Sequence, residues 1–295
     1  MNIISRKKGK KSIQYYYLQH SVRINGKIKK FERYLGKIIP PNIDKIEKEL
    51  FSSIRIEKYS KILQDSFENF TKNQTNLSAS VLNKQMESFS VEFTYNSQKI
   101  EGSSLSLQET SLLLEKGITP GNKPVHDVIE AINHNKILKN ILNGNFIINY
   151  ESILTWHNEL FSTTKSDIAG TIRDFGVKIS GSKFVHPSPV EIHPLLEEFF
   201  DWYTKQETIL NPVELAGLAH LKFVTIHPFA DGNGMMSRLI MNAILYQHNY
   251  PLINIKYKNR LRYYKALEKS QLSDNEHFFL DWFLSYYCSS NSNLK

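Results

Sequence analysis

Residues 227–238, HPFADGNGMMSR, restrict the fold more than any other part of this chain. Apolar residues recur at helical spacing on both sides, over 212–226 and 234–248, while Pro228 and the Gly-Asn-Gly run interrupt the pattern between them. The chain must leave one helix, turn tightly and enter another. His227 stands at the exit and Arg238 one turn into the second helix. A histidine ordinarily titrates near neutrality, so His227 can take a proton from a hydroxyl. Phe229 anchors the loop. Asp231 offers a hard oxygen of the kind Mg²⁺ accepts alongside phosphate oxygens. Gly232, Asn233 and Gly234 let backbone amides converge at a helix N-terminus, which makes an anion site that Arg238 can reach. Each residue alone has a plainer structural reading. Together, at this spacing, they suit a metal-bound polyphosphate beside a nucleophile that must lose a proton.

The chain has 295 residues, 41% of them hydrophobic and 22% charged, which is ordinary for a globular protein. A single cysteine, Cys288, excludes an internal disulfide and fits a reducing compartment. No apolar run approaches a membrane span and no signal-peptide core opens the sequence, so the expected location is the cytoplasm, without membrane contact. The formal charge of +8 is concentrated in residues 6–33, a basic segment with interleaved tyrosines. That composition suits nucleic acid or an acidic partner, but a solvated basic hairpin is the favoured reading. The hairpin runs out over 13–23, turns at Asn25-Gly26 as a type I′ turn, and returns over 27–35.

The rest reads as mainly α. Helical spacing covers 43–70, 81–99, 106–116, 124–143, 150–162, 190–206, 212–226, 234–248, 259–271 and 275–288. Ser106 and Glu109 form a capping-box pattern, and Gly117 ends that helix. The polar run 71–80 reads as a linker, and 171–187 as a short β-hairpin turning at residues 180–182. The expected division is a basic β-hairpin over 1–42, a helical region over 43–120, and a core with C-terminal helices over 121–295. His126 and His134 are eight apart, which is not a metal-ligand spacing, and both read as structural. His186 and His193 read as surface residues and His220 as packed.

The central segment resembles the Fic family signature HxFx(D/E)GNGRxxR. WHNELF at 156–161, residues 169–189 and LIMN at 239–242 carry the resemblance further, over roughly 85–285. It implies a mainly α, Fic-type helical bundle with a β-hairpin flap. It also implies a protein adenylyltransferase, moving AMP from ATP to a Ser, Thr or Tyr hydroxyl of a target protein. On that resemblance His227 is the base and Asp231 holds Mg²⁺. Gly232, Asn233, Gly234, Ser237 and Arg238 hold the phosphates. Gly181, Ser182, Lys183 and Phe184 form the flap, which aligns the target by strand addition. Tyr264 and Gln271 line the nucleoside pocket, beside Tyr263.

SQKIEG at 97–102 matches the family's inhibitory pattern [ST]xxxE[GN], on a helix expected at about 85–105. The resemblance implies that Glu101 pairs with Arg238 and blocks the γ-phosphate, with Ser97 and Gly102 shaping the helix end. One position departs from the pattern: Met235 stands where the family has its first arginine. Losing a charge-assisted contact removes about 1.5–3 kcal/mol, so a weakened enzyme is expected. A pseudo-enzyme that only binds nucleotide, a de-AMPylase, and transfer of another phosphoryl group remain alternatives. Self-modification and a homodimer are compatible with this reading.

Overall fold

A computed structural model describes residues 1–8, 12–24, 26–144 and 146–291. The chain divides into two compact units, Met1–Asp65 and Ser66–Lys295.

In the first unit, β1 (Asn2–Lys8), β2 (Ile13–Ile24) and β3 (Lys27–Gly36) form an antiparallel sheet in that order. The expected hairpin is β2 and β3. Asn25 of its expected turn lies outside the described residues, and Gly26 takes a φ of +79°. The third strand, β1, went unread because its basic second half shows little alternation. One face of the sheet buries Leu18 and Leu35 against Leu50, Phe51 and Ile54 of α1 (Ile43–Asn76). The polar run expected as a linker is helical to Asn76. It contains no glycine or proline, and polarity alone does not end a helix.

The second unit is built around α7 (Pro212–Ile226) and α8 (Asn233–Gln247). Eleven of 15 residues in α7 and twelve of 15 in α8 are buried, so both are core helices rather than surface ones. Around them lie α2 (Ala79–Ile100), α3 (Leu107–Lys116), α4 (Val125–Leu142), α5 (Tyr150–Phe161) and α6 (Pro189–Gln206). A 3₁₀ turn at Tyr257–Asn259, α9 (Arg260–Leu272) and α10 (His277–Asn291) complete the unit. Helices α6 and α10 pack on α7, whereas α2, α4 and α5 pack on α8. The capping box on α3 forms as read, and Gly117 closes the helix with a φ of +68°. No helix among the described residues is long and apolar enough to cross a membrane.

Residues 171–187 contain no strand. The expected flap is an extended loop with a turn in which the Ser182 amide donates to Ile179 O at 3.1 Å and Gly181 takes a φ of +83°. Its polar groups are satisfied from elsewhere. The Arg173 guanidinium donates to Phe175 O and Pro187 O, both at 2.7 Å, and the Lys183 amide donates to Glu268 at 2.8 Å. The two arms are therefore tied through a side chain rather than through a ladder.

His134 on α4 and His220 on α7 are fully buried. Burial, reinforced by the nearby Arg238 charge, pushes both down to about 3. In the unfolded chain they bind protons below about pH 6.5. The unfolded state therefore gains protons first on acidification, and stability falls as pH drops from about 6.5 toward 3. Urea unfolding should show a loss of about 1.4 kcal/mol per pH unit for each such histidine. A midpoint independent of pH between 6.5 and 4 would contradict this burial.

Candidate active site

The helix-loop-helix forms as the sequence requires, and its loop is held by Arg173 and by His157 of α5. His227 ends α7 in the left-handed region, with a φ of 53°, and its amide still donates to Phe223 O at 3.0 Å. A non-glycine residue there needs outside support. Arg173 gives it, donating from Nε to His227 O at 2.8 Å and from its amide to Pro228 O at 3.0 Å. His157 of α5 gives more. It accepts the Gly170 amide at Nδ1 (2.9 Å), so Nε2 carries the proton and donates to Asp231 O at 3.1 Å. Its ring stacks on Phe229 at 3.7 Å, and Phe229 is buried as expected. The Asn233 side chain is used within the loop too. It accepts from Phe229 N at 2.9 Å and donates to Phe229 O at 2.8 Å. What Asn233 can offer an anion is therefore its backbone amide. The Ser237 hydroxyl is buried and donates to Gly234 O at 2.9 Å, beneath the loop.

His227 Nδ1 lies 3.2 Å from Val224 O. A carbonyl only accepts, so the proton sits on Nδ1 and Nε2 is left bare. The sequence suggested an imidazole titrating near neutrality. Burial, then the His186 ring at 4.2 Å and the Arg173 charge, instead hold it down to about 3. His227 is thus a neutral acceptor throughout the physiological range. His186, read as a surface residue, is buried, and its Nδ1 faces Thr225 O at 3.1 Å.

The N-terminus of α8 presents its first-turn amides below a left-handed Gly232, at φ +76°. A Cβ at Gly232 would stand 2.4 Å from the Phe161 ring, and one at Gly234 would stand 2.1 Å from Glu101 Oε1. The Glu101 carboxylate therefore rests directly on this anion cradle. Glu101 Oε1 also accepts from Arg238 Nη2 at 2.7 Å. Ser97 completes the clasp, its Oγ accepting from Arg238 Nε at 2.9 Å and its carbonyl from Nη2 at 3.0 Å. Burial opposes the Arg238 charge, but Glu101 and the other partners outweigh it and the guanidinium is held above its usual range. Gly102, at φ +103°, turns the chain after α2.

A cavity of about 530 Å³ opens here, lined by Glu101, Gly181, Ser182, His227, Gly234, Arg238, Tyr264 and Gln271. The structure thus gathers residues from both expected motifs and the flap. Tyr264 donates from its hydroxyl to Ile100 O at 3.0 Å, and Gln271 donates to Thr225 Oγ1 at 3.2 Å. Tyr263 is core, its hydroxyl 3.0 Å from His220 Nε2. The Lys183 side chain is exposed, and the Phe184 ring packs edge-on to His186 at 5.0 Å. Neither lines this cavity.

Glu101 also lines a second, smaller cavity of about 140 Å³, with Gly102, Glu130, Lys165, Asp231 and Met235. Asp231 accepts the Gly232 amide at Oδ1 (2.7 Å) and Lys165 Nζ at Oδ2 (2.8 Å). Lys165 is braced on its other side by Glu130 at 3.0 Å. Burial works against the Lys165 charge, and the two carboxylates overcome it. No group of three or more His, Cys, Asp or Glu among the described residues could hold a metal ion. The half-exposed Asp231 nevertheless suits Mg²⁺, which commonly takes one protein carboxylate and completes its shell with phosphate oxygens and water. Sequence reading assigned no role to Lys165, Glu130, His157 or Arg173. Only the fold brings them to the loop.

Residues 147–245 match the Fic/DOC family. The chain is 31% identical over 189 residues to Protein adenylyltransferase fic-1 of Caenorhabditis elegans, covering 62% of this chain and 37% of that protein. It is 32% identical over 186 residues to Protein adenylyltransferase Fic of Nematostella vectensis, covering 61% and 43%. The chain thus spans about two fifths of the length of these relatives. The crystal structure of a Fic domain containing signaling protein from Bacteroides thetaiotaomicron superposes with a TM-score of 0.71 at 27% identity. That match covers 78% of this chain and 94% of the other.

Glu101→Gly leaves the buried Arg238 without its carboxylate. Breaking a fully buried pair costs about 3–5 kcal/mol. Glu101 is 32% exposed, so about 1–3 kcal/mol is expected. The melting temperature should drop by about 3–10 °C. A variant as stable as wild type without nucleotide would contradict the pairing.

Proposed function

We propose that this protein transfers AMP from ATP to a Ser, Thr or Tyr hydroxyl of a target protein, and that Glu101 restrains it; the match of residues 147–245 to the Fic/DOC family supports this reading. The observation that carries this reading is the Glu101 carboxylate seated on Gly234 and bonded to Arg238, at the edge of the cavity that contains His227. Helix N-terminal amides and a buried arginine suit a polyphosphate, and the carboxylate on Arg238 occupies the cation that the outer phosphate needs.

In the reaction, His227 Nε2 takes the proton of the target hydroxyl. The hydroxyl oxygen bonds to the α-phosphorus as the bond from that phosphorus to the bridging oxygen breaks, and pyrophosphate leaves with the electron pair. The amides of Asn233 and Gly234, with Arg238, hold the departing phosphates. Mg²⁺ held by Asp231 would spread the negative charge between the α- and β-phosphates. Tyr264 and Gln271 border the nucleoside end of the cavity. The flap residues Gly181, Ser182, Lys183 and Phe184 form no ladder, but the Ser182, Lys183 and Phe184 amides already donate to Ile179 O, Glu268 and Ser182 Oγ, so an extended target segment pairs here by displacing these bonds.

Met235 is 2% exposed and cannot contribute charge. Lys165 shares its cavity and supplies the positive charge on that side of the cradle. The resulting enzyme is slower than one with a second arginine, at position 235, and is not inert.

The test uses α- and γ-labelled ATP. Glu101→Gly should incorporate α-label into itself and into partner proteins at least about tenfold faster than wild type, as the blocked donors are released. His227→Ala on that background should abolish incorporation. Met235→Arg should raise it by about ten- to a hundred-fold. Incorporation of γ-label, or no gain from removing Glu101, overturns the proposal.

A further inference from the structure

The N-terminal unit carries a surface that the proposed transfer reaction does not use. Ten Lys or Arg and one acidic residue, Glu32, fall within residues 1–36. That leaves 27 basic against 28 acidic residues in the other 259 positions, so the whole net charge of +8 resides in this segment. We propose that the outer face of the β1–β2–β3 sheet binds single-stranded nucleic acid.

The register decides which side chains share that face. Tyr16, Leu18 and Val22 of β2 pack toward α1, so Tyr15, Tyr17, Gln19, Ser21 and Arg23 point the other way. Cross-strand pairing puts Arg6 beside Tyr15, Tyr34 beside Tyr17, and Lys30 beside Ser21 on the same face. The Tyr34 ring lies 6.1 Å from Tyr15 and 5.4 Å from Tyr17, and the Arg6 guanidinium sits 4.7 Å over Tyr17. Tyr34 is 55% exposed. Glu32 lies on this face and pairs with both Arg6 and Lys30, so these three side chains together carry one positive charge.

Cross-strand aromatic pairs also stabilise sheets, and that alone would account for ring contacts. It does not account for a half-exposed tyrosine at the centre of the trio, nor for the confinement of the chain's charge to this unit. Aromatic rings on an open sheet stack unpaired bases of any identity, while surrounding cations follow the phosphodiester backbone. An acidic peptide would use the cations but has no need of three rings. A duplex hides its base faces from them.

The test is fluorescence anisotropy of labelled oligothymidylate and oligouridylate with the full chain, the two arms separating DNA from RNA. Binding in the micromolar range is expected, weakening steeply between about 50 and about 200 mM salt. Tyr34→Ala should weaken it about tenfold while Tyr34→Phe retains it. Lys30→Ala should lower the salt slope by about one. Melting temperatures near that of wild type would establish that these exposed substitutions leave the fold intact. No binding at low salt overturns the proposal. So does a duplex or polyglutamate bound as tightly as the single strand, or a Tyr34→Ala protein that binds as wild type does.

Discussion

Arg238 is a cation with 1% of its surface exposed, in the most thoroughly buried helix of the chain. A charge so placed must be compensated, and in this structure Ser97 and Glu101, both from the end of α2, compensate it. The pair therefore fixes where α2 ends against α8. It also fills the helix N-terminus that would otherwise receive an anion. A phosphate could serve Arg238 as well as a carboxylate does. The site thus has two mutually exclusive ways to satisfy one buried charge, and that exclusivity is the physical basis of the proposed restraint.

The remainder of the loop is built for rigidity. His227 adopts a backbone conformation unusual for its residue type, and Arg173 and His157 hold the carbonyls of His227 and Asp231. Asn233 clamps Phe229 through both ends of its amide. The imidazole that results has one defined tautomer, a low affinity for protons and a bare Nε2. A base with these properties is always deprotonated, at the expense of driving force. In the proposed reaction its contribution is mainly orientation of the hydroxyl.

Met235 and Lys165 belong together in this picture. The motif position on α8 that lacks charge borders the same small cavity as a lysine clasped between Glu130 and Asp231. Lys165 neutralises the carboxylate proposed to hold Mg²⁺. The same ammonium therefore stands ready beside the cradle once Asp231 takes another cation.

Local chemistry made the helices and the tight loop legible without coordinates, whereas the pairing of Glu101 with Arg238 was implied only by the family resemblance of residues 97–102 and 227–238. Apolar periodicity, the Ser106–Glu109 capping box and the Gly232 turn each act within a few residues, so sequence alone carries them. Two local readings erred where local signals are weak. A polar stretch stayed helical because nothing in it breaks a helix, and the flap formed no ladder because Arg173 and Glu268 satisfy its polar groups. What the tertiary structure alone decided is the electrostatic state of the site: a neutral His227, a buried Arg238, and a lysine bound to Asp231. Desolvation and long-range charge depend on which side chains meet across 60 to 140 positions of sequence, and only the packing of helices sets those meetings.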